Sequence, residues 1–242
     1  MSHKRQGYRF PEDWTEDELR DVKQSEGLTI TNVIPVNIEV KGEHKVLNLD
    51  KARDYLNQAK EIWLMDCGCR TGLHHCDAPL DTCIGWDSAI RIMKERSKLN
   101  PRRITMQKAI ETLELSNEAG LVHMAYATND DKVNSICSCC SCCCGVLSAS
   151  VRFGLSLHTL TSDTISKTDL AKCDSCLSKI CVDRCQVGAG ETVDGSLRFD
   201  PSHCLGCGLC VTKCPVGAIK LVKRSRKSHA VVNSRTPART PQ

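Results

Sequence analysis

The sequence predicts an α+β protein in which a cysteine-rich N-terminal α+β domain precedes a smaller second module. Segments rich in β-branched and apolar residues, typical of strands, alternate with segments that carry apolar residues at helical spacing. The chain contains 18 cysteines among 242 residues, and they fall into three groups instead of spreading evenly. The third group contains an internal repeat, which marks it as a unit of its own.

The part of the chain before the first cysteine has the pattern of ordinary secondary structure. A capping box at residues 15–18 opens a short helix, and Asp50 caps a second helix over residues 51–59. Strands are predicted at residues 33–40 and 62–65 from their β-branched and apolar content. The first cysteines therefore follow directly on a strand end.

Two helices are predicted between the first two cysteine groups, at residues 83–96 and 105–119, where apolar residues recur at helical spacing. Gly120 ends the second helix, and residues 121–126 form a short strand. We expect the helix pair to pack as a scaffold that brings the two cysteine groups together. A further helix is predicted at residues 146–157.

The predicted domain organisation has four parts. The cysteine-rich domain covers residues 1–155, a linker rich in serine and threonine covers residues 156–167, and the second module covers residues 168–222. Residues 223–242 carry basic but no acidic side chains and have little to bury, which predicts a disordered basic tail. A docking arm for an acidic partner is the alternative interpretation. Since the tail has no aromatic residue on which bases can stack, nucleic-acid binding is not expected.

Composition narrows the classes of function. Lys and Arg outnumber Asp and Glu by 33 to 29, and 4% of the residues are aromatic. No run is apolar enough to predict a membrane span, and no apolar segment of a secretion signal follows the basic N-terminus. We therefore expect a cytoplasmic protein, where closely spaced cysteines bind metals or react more often than they form disulfides. The sequence has no nucleotide-binding loop, dinucleotide fingerprint or hydrolase triad spacing.

The third cysteine group has the spacing of an iron-sulfur motif. Residues 204–215 are C-x2-C-x2-C-x3-C-P, in which three thiolates bind one cluster and the fourth binds a second cluster. Residues 173–185 repeat this plan as C-x2-C-x4-C-x3-C, and Val-Gly-Ala follows in both halves, with Gln186 standing where the second half has Pro215. A zinc ribbon is the alternative, and the interleaved fourth cysteines disfavour it.

This segment resembles the two-cluster bacterial ferredoxins over residues 168–222. The resemblance implies two pseudo-symmetric halves, and the Asp-Gly pair in residues 193–197 fits a hairpin between them. The longer loop at residues 177–180 should change the hydrogen bonds to one cluster and hence its potential. The resemblance also implies two [4Fe-4S] clusters, one held by Cys173, Cys176, Cys181 and Cys214 and the other by Cys204, Cys207, Cys210 and Cys185.

The first two groups supply ten further candidate metal ligands. Free thiols at this density would be an oxidation hazard, which favours metal binding. The C-x-C-R, C-D-x-P-x-x-x-C and I-C-x-C-C-x-C-C-C patterns resemble the cysteine-rich region upstream of dicluster modules in poorly characterised iron-sulfur proteins of anaerobic microbes, over residues 60–150. The resemblance implies one or two further iron-sulfur clusters, with zinc as the less favoured alternative. The ten are Cys67, Cys69, Cys76, Cys83, Cys137, Cys139, Cys140, Cys142, Cys143 and Cys144.

Ten thiolates exceed the eight that two cubic clusters need. We therefore expect the six cysteines of the second group to divide between two sites or to include non-ligands. The Cys143-Cys144-Gly145 element is similar to the C-C-G element of non-cubane clusters in disulfide-reducing enzymes. His74 and His75 are candidate ligands or proton carriers, with a solvent-facing or supporting position as the more common alternative. His123 lies on an apolar stretch and is expected in the core.

The sequence thus predicts an oxygen-sensitive iron-sulfur protein that passes low-potential electrons between redox partner proteins, as a carrier or as a subunit of an oxidoreductase complex. No catalytic residue is assigned. Two alternatives remain. In the first, the N-terminal centre reduces a substrate, a disulfide or a corrinoid with electrons from the second module. In the second, the N-terminal domain binds structural zinc and docks the module onto an enzyme complex.

Overall fold

An antiparallel sheet of six strands forms the N-terminal part of the computed structural model, which describes residues 16, 31–34, 55–57, 59–127, 133–148, 162, 164–174 and 176–224. The strands are β1 (Thr31–Ile34), β2 (Ile62–Asp66), β3 (Asp81–Trp86), β4 (Arg102–Ile104), β5 (Val122–Ala127) and β6 (Val133–Cys139). They lie side by side in the order β1-β5-β6-β3-β2-β4. Every neighbouring pair is antiparallel.

Helices cover both faces of this sheet. They are α1 (Gly68–Leu73), α2 (Ala89–Glu95) and α3 (Met106–Glu118). On one face Leu113 of α3 packs with Ile84 and Ile136. Residues between these in the strands point to the opposite face, because side chains alternate along a strand. There Met93 of α2 packs against Cys83.

The predicted helix over residues 83–96 is wrong in its first part. Strand β3 continues through Trp86, and the helix begins only at Ala89. Both faces of this strand are buried, and the resulting apolar run cannot be told from a buried helix by periodicity alone. The prediction that a helix pair unites the cysteine groups is also wrong, because the sheet does so by pairing Cys83 with Cys137.

The second helix and its end are confirmed. Thr105 caps α3 by accepting a hydrogen bond from the backbone N–H of Lys108 at 3.1 Å. Gly120 follows the helix with φ +78°, a left-handed conformation that favours glycine. The strands predicted at residues 62–65 and 121–126 are β2 and β5.

Other predicted elements lie wholly or partly outside the described residues. The capping box at residues 15–18 is described only at residue 16, which is helical. Residues 55–57 of the helix predicted at 51–59, and residues 145–148 at the start of the one predicted at 146–157, are helical. Of the strand predicted at residues 33–40, the first two residues belong to β1, and the rest lie outside.

The second module is built from two small antiparallel sheets and three short helices. Its strands are β7 (Thr164–Thr168), β8 (Gly190–Val193), β9 (Ser196–Phe199) and β10 (Ile219–Lys223), and its helices are α4 (Leu170–Cys173), α5 (Ile180–Asp183) and α6 (Leu209–Thr212). Strand β7 pairs with β10, and β8 pairs with β9. The predicted hairpin is confirmed, with Asp194 and Gly195 at φ +50° and +76° as its two-residue turn.

The boundary between the two parts differs from the prediction. Residues 164–167 fall in the predicted linker, and the structure places them in β7, paired with β10. Threonine and isoleucine are β-branched and suit a strand. A segment rich in Ser and Thr can therefore be either a linker or a strand. Lys223, predicted as the first residue of the tail, ends β10, and residues 225–242 lie outside the described part.

The two parts share a buried core. Leu205 and Leu209 of the second module pack with Val122, Met124 and Leu147 of the N-terminal part. The module is therefore packed against the N-terminal sheet.

His123 lies in the core, as predicted, and should make stability depend on pH. Its ring is 3% exposed, Nδ1 lies 2.8 Å from the Ser138 hydroxyl, and burial lowers its pKa from 6.5 to about 4. Because the unfolded chain takes up the proton first, stability is lost as pH falls from 6.5 toward 4. Between pH 7.5 and pH 5, protonation of His123 in the unfolded chain should lower the free energy of unfolding by about 2 kcal/mol. A His123→Asn variant should not show this loss. Anaerobic thermal unfolding of both proteins at the two pH values measures it, and equal losses would contradict it.

Candidate metal centres

The sheet brings the first and second cysteine groups to one face. Cys83 of β3 lies opposite Cys137 of β6, and Cys139 lies two residues further on the same side of β6. Cys67 follows β2 directly and packs with Cys83. The remaining cysteines come from α1, from the segment after it, and from a turn over residues 140–144 in which the Cys144 N–H donates to the Cys140 carbonyl.

Six of the ten N-terminal cysteines form what we call the six-thiol group. The thiol of Cys67 interacts with those of Cys69 and Cys83, and the thiol of Cys83 also interacts with that of Cys137. The thiol of Cys144 interacts with those of Cys69 and Cys139, so that all six thiols are connected. Among all the cysteines, Cys69 alone is exposed. The group consists of Cys67, Cys69, Cys83, Cys137, Cys139 and Cys144.

The other four cysteines form the four-thiol group. Their sulfur atoms all lie within 4.8 Å of one another. Cys140, Cys142 and Cys143 are buried, and Cys76 is half-buried. The sulfurs of the second cysteine group thus lie in two places, three in each. The four-thiol group consists of Cys76, Cys140, Cys142 and Cys143.

Arg70 lies between the two thiol groups with 1% of its surface exposed. Its guanidinium donates to the carbonyls of Pro79 and Ser138 at 3.0 Å, to the Thr82 hydroxyl, and to Cys140 Sγ at 3.8 Å. Burial opposes its charge, but the thiolates of Cys67, Cys140 and Cys139 outweigh this and raise the pKa of Arg70. A buried, permanently charged guanidinium is therefore available to offset thiolate charge in both groups.

The surroundings shift the pKa values of the thiols in opposite directions. Hydrogen bonds from Cys142 and Cys143, with the nearby charge of Arg70, lower the pKa of Cys140 to about 6 and favour its thiolate form. In the six-thiol group, the hydrogen bond to Cys137 and burial raise the pKa of Cys83. Donation to Cys144 raises the pKa of Cys69 to about 11. Several thiolates at this spacing need a metal cation to offset their repulsion, which couples metal binding to proton release.

The two candidate histidines occupy different positions. His75 Nδ1 lies 3.0 Å from the carbonyl oxygen of Cys142, which places this ring beside the four-thiol group as a support for its backbone. His74 is exposed and ends α1 with φ +51°.

In the second module, one set of four cysteines surrounds a cavity. Burial raises the pKa of Cys210, and the neighbouring Cys207, Cys185 and Cys204 raise it further. The same four residues line the cavity, together with Cys181 of the other set and with apolar side chains such as Leu205. The Gly206 N–H lies 3.4 Å from Cys204 Sγ as a donor. Four thiolates around an apolar space, with amide donors, are the donor set that a [4Fe-4S] cluster requires.

The other set is related to the first by pseudo-symmetry. Burial and the neighbouring Cys173 and Cys214 raise the pKa of Cys181. The Ala218 N–H donates to Cys214 Sγ at 3.2 Å, and the Ala189 N–H donates to Cys185 Sγ at the same distance. Cys176, the fourth predicted ligand of this set, contacts the Ser178 hydroxyl at 3.5 Å. The internal repeat of the sequence is thus also a repeat of sulfur hydrogen bonds.

The longer first-half loop places a cation beside this set. Lys179 Nζ donates to the Cys173 carbonyl at 2.9 Å and lies 3.8 Å from Cys173 Sγ. Lys179 has φ +42° at the start of α5, where the second half has Gly208 at φ +82° before α6. The longer loop of the first half therefore places the charge of Lys179 beside the cysteine set that contains Cys173, whereas Gly208 at the equivalent position brings no charge to the other set.

Removing this charge should lower the reduction potential of the cluster that the sequence predicts near Cys173. Reduction adds negative charge, which the Lys179 ammonium stabilises, so Lys179→Gln should shift that potential by roughly tens of millivolts to more negative values. Lys167→Gln, a change of an exposed lysine in β7, is the matched control. Protein-film voltammetry of the three proteins measures the shift, and equal potentials would refute the role of Lys179.

Three side chains of the module dock it onto the N-terminal part. Gln186, 2% exposed, accepts hydrogen bonds from the N–H and hydroxyl of Ser141 at 3.0 Å and donates to the Gly120 carbonyl at 2.7 Å. Arg184 donates to the carbonyls of Asn117 at 2.6 Å and Glu118 at 3.2 Å, at the end of α3. Lys213 forms an ion pair with Glu118. The sequence marked Gln186 only as a departure from Pro215, and it gave no signal for Arg184.

Comparisons with known proteins identify the second module. The 4Fe-4S binding domain family matches residues 197–220. An uncharacterized ferredoxin of Methanocaldococcus jannaschii is 40% identical over 55 residues, 23% of this chain and 33% of the relative. A tetrathionate reductase subunit of Archaeoglobus fulgidus is 36% identical over 72 residues, 28% of this chain and 35% of the relative. Formate hydrogenlyase subunit 2 of Escherichia coli is 37% identical over 65 residues, 27% of this chain and 32% of the relative.

The chain spans about a third of the length of these curated relatives. No solved structure matches it. Among the described residues, no helix has the length and apolar character needed to cross a membrane. The second module is a ferredoxin-like iron-sulfur module that binds a [4Fe-4S] cluster, and its role is electron transfer.

Proposed function

We propose that the whole chain is a cytoplasmic electron relay that passes low-potential electrons between redox partners through two [4Fe-4S] clusters in the module and an iron-sulfur cluster in the six-thiol group. When bound, such a cluster spreads an added electron over several irons and sulfides, so its geometry changes little. Free cysteines in this number suit a reducing compartment. Because relatives are named as subunits of a reductase and a hydrogenlyase, the partners we propose are oxidoreductase components.

The ligands follow the crossed arrangement. One cluster would be held around Cys181, and the proximity of Cys173 and Cys214 to this residue supports that set. The proximity of Cys185 to Cys207 and Cys210 supports the other. The proposed sets are Cys173, Cys176, Cys181 and Cys214, and Cys204, Cys207, Cys210 and Cys185.

One observation carries the relay proposal. Cys139 and Cys144 of the six-thiol group lie in one buried cluster with Leu205 and Leu209 of the module, and Cys207 of the module packs against this cluster. Thiols of the six-thiol group and of the module therefore share a core from which water is excluded. Electron transfer between fixed centres requires a short and rigid path without water. It does not require any side chain to move a proton.

A Cys214→Ala variant tests the crossed ligand sets. Although Cys214 is the fourth cysteine of the second motif, we expect its loss to impair the cluster near Cys173. The cluster at Cys204, Cys207 and Cys210 should stay intact. Iron and sulfide counts with EPR of the anaerobically reduced full chain measure this. Pro215→Ala is the matched control, because this neighbouring residue is exposed. Loss of the cluster at Cys204 with retention of the other would refute the crossed assignment.

A second candidate function is the reduction of a substrate at the six-thiol group. The exposure of Cys69 favours it. An exposed ligand gives a substrate a route to the metal, whereas a closed thiolate shell does not. Adding cyanide to the reduced protein separates the two functions. An EPR change confined to the N-terminal cluster would favour substrate reduction, and an unchanged spectrum would favour the relay.

A further inference from the structure

We propose that the four-thiol group binds a single zinc ion in a closed tetrahedral site. This site is independent of the electron-transfer role, because zinc has no redox chemistry in proteins. Its ligands would be Cys76, which follows α1, and three cysteines of the turn after β6. They are Cys76, Cys140, Cys142 and Cys143.

The sulfur spacing fits one ion. Four thiolates at the Zn–S distance of about 2.3 Å from a tetrahedral centre lie about 3.8 Å from one another. The Sγ atoms of Cys76 and Cys140 are 3.8 Å apart, and those of Cys142 and Cys143 are 3.9 Å apart. No pair in the group exceeds 4.8 Å. Two of the six sulfur separations therefore match a tetrahedral tetrathiolate site, and the other four lie within 4.8 Å.

The same spacing disfavours a cubic iron-sulfur cluster. A [4Fe-4S] cluster binds each thiolate to a different corner iron, so its cysteine sulfurs are separated by the width of the cube as well as by the Fe–S bonds. This exceeds the separations in the four-thiol group. Assigning one ion here leaves the six-thiol group to supply the four ligands of one cluster, with two of its six cysteines as non-ligands.

The surroundings suit a dianionic zinc-thiolate site. The Arg70 guanidinium lies 3.8 Å from Cys140 Sγ and offsets part of the charge. His75 contacts the Cys142 carbonyl at 3.0 Å, and Gln186 binds Ser141, so the backbone of the ligand turn is held from two sides. With four thiolates and three of them buried, no position is left for substrate, as in structural zinc sites.

The position of the site indicates what the ion would do. It would join Cys76 to the turn that contains Ser141, and this turn is where Gln186 docks the ferredoxin-like module. Zinc would therefore fix the surface on which the module sits. Among divalent ions, zinc also binds thiolate sites more tightly than ferrous iron does, which favours zinc where both are present.

Zinc analysis of the full chain, purified anaerobically and dialysed against EDTA, tests the proposal. We expect one zinc per chain, and zinc X-ray absorption with four sulfur neighbours at about 2.3 Å. Absence of zinc, zinc with oxygen or nitrogen neighbours, or zinc removed by the dialysis would overturn it. An iron in its place would do so too, whether single or with neighbouring irons in its absorption spectrum.

Two variants separate this site from the iron-sulfur centres. Cys142→Ser should lose the zinc and keep the iron content of the wild type, and Cys69→Ser, the matched change in the six-thiol group, should keep the zinc. Zinc retained in Cys142→Ser would overturn the proposal. If that variant does not fold, cobalt incorporated into the wild type provides the readout, because tetrahedral cobalt thiolate absorbs intensely in the visible range. Octahedral cobalt bands would overturn the proposal.

Discussion

Replacing Arg70 by methionine should remove metal from both N-terminal thiol groups and destabilise the protein by about 3 to 5 kcal/mol, because removing one partner from a buried charge network leaves the other charges uncompensated. Methionine keeps much of the side-chain length but cannot donate to Pro79, Ser138, Thr82 or Cys140. The carbonyls would be left buried without their donor. The thiolates would also lose the cation that offsets their charge.

Metal counts and anaerobic denaturation of Arg70→Met measure these effects. The matched control is Arg91→Met on α2, whose side chain is 79% exposed and pairs with Glu95 on its own helix. The control should change stability by less than about 1 kcal/mol. Full metal content in Arg70→Met would show that this guanidinium does not support the thiol groups. Arg70→Lys should recover only part of the loss, because an ammonium lacks the planar set of donors.

Replacing Gln186 by proline should uncouple the module from the N-terminal part. The change leaves the Ser141 N–H and the Gly120 carbonyl buried without partners, at a cost of about 2 to 4 kcal/mol at the docking surface. We expect the module to retain its clusters, because proline occupies the equivalent place in the other half of the repeat. Electron passage to the N-terminal centre should slow at least tenfold.

Freeze-quench EPR after mixing with a limiting amount of reductant follows that passage. Pro215→Gln is the mirror-image control, since Pro215 is exposed and Gln186 is buried. The control should leave the rate unchanged. An unchanged rate in Gln186→Pro, with the module still loaded, would show that electrons do not pass between the two parts at this contact.

The third cysteine group was predictable because its ligands lie close together in sequence. A cluster dictates the spacing of three thiolates within one turn of chain, so the pattern from Cys204 to Cys214 carries the chemistry by itself. The hairpin at Asp194 and Gly195 was predictable for the same reason, since a two-residue turn depends on local conformation.

The division of the N-terminal cysteines was not predictable in the same way. Which sulfur joins which group depends on the register between β3 and β6 and on the turn that follows Cys139. These are long-range features, and the strand that contains Cys83 looks like a helix in sequence because both of its faces are buried. The inward position of Arg70 likewise follows from the packing of α1 on the sheet.

Anaerobic reductive titration of the full chain tests the relay most directly. Each of the two [4Fe-4S] clusters proposed for the module would accept one electron at low potential. A chain that relays electrons to a third centre should therefore take up more than two electrons, and a Cys67→Ser, Cys139→Ser double variant should lose the additional signal. Uptake that stops at two electrons per chain, with the same spectrum in the double variant, would contradict the relay.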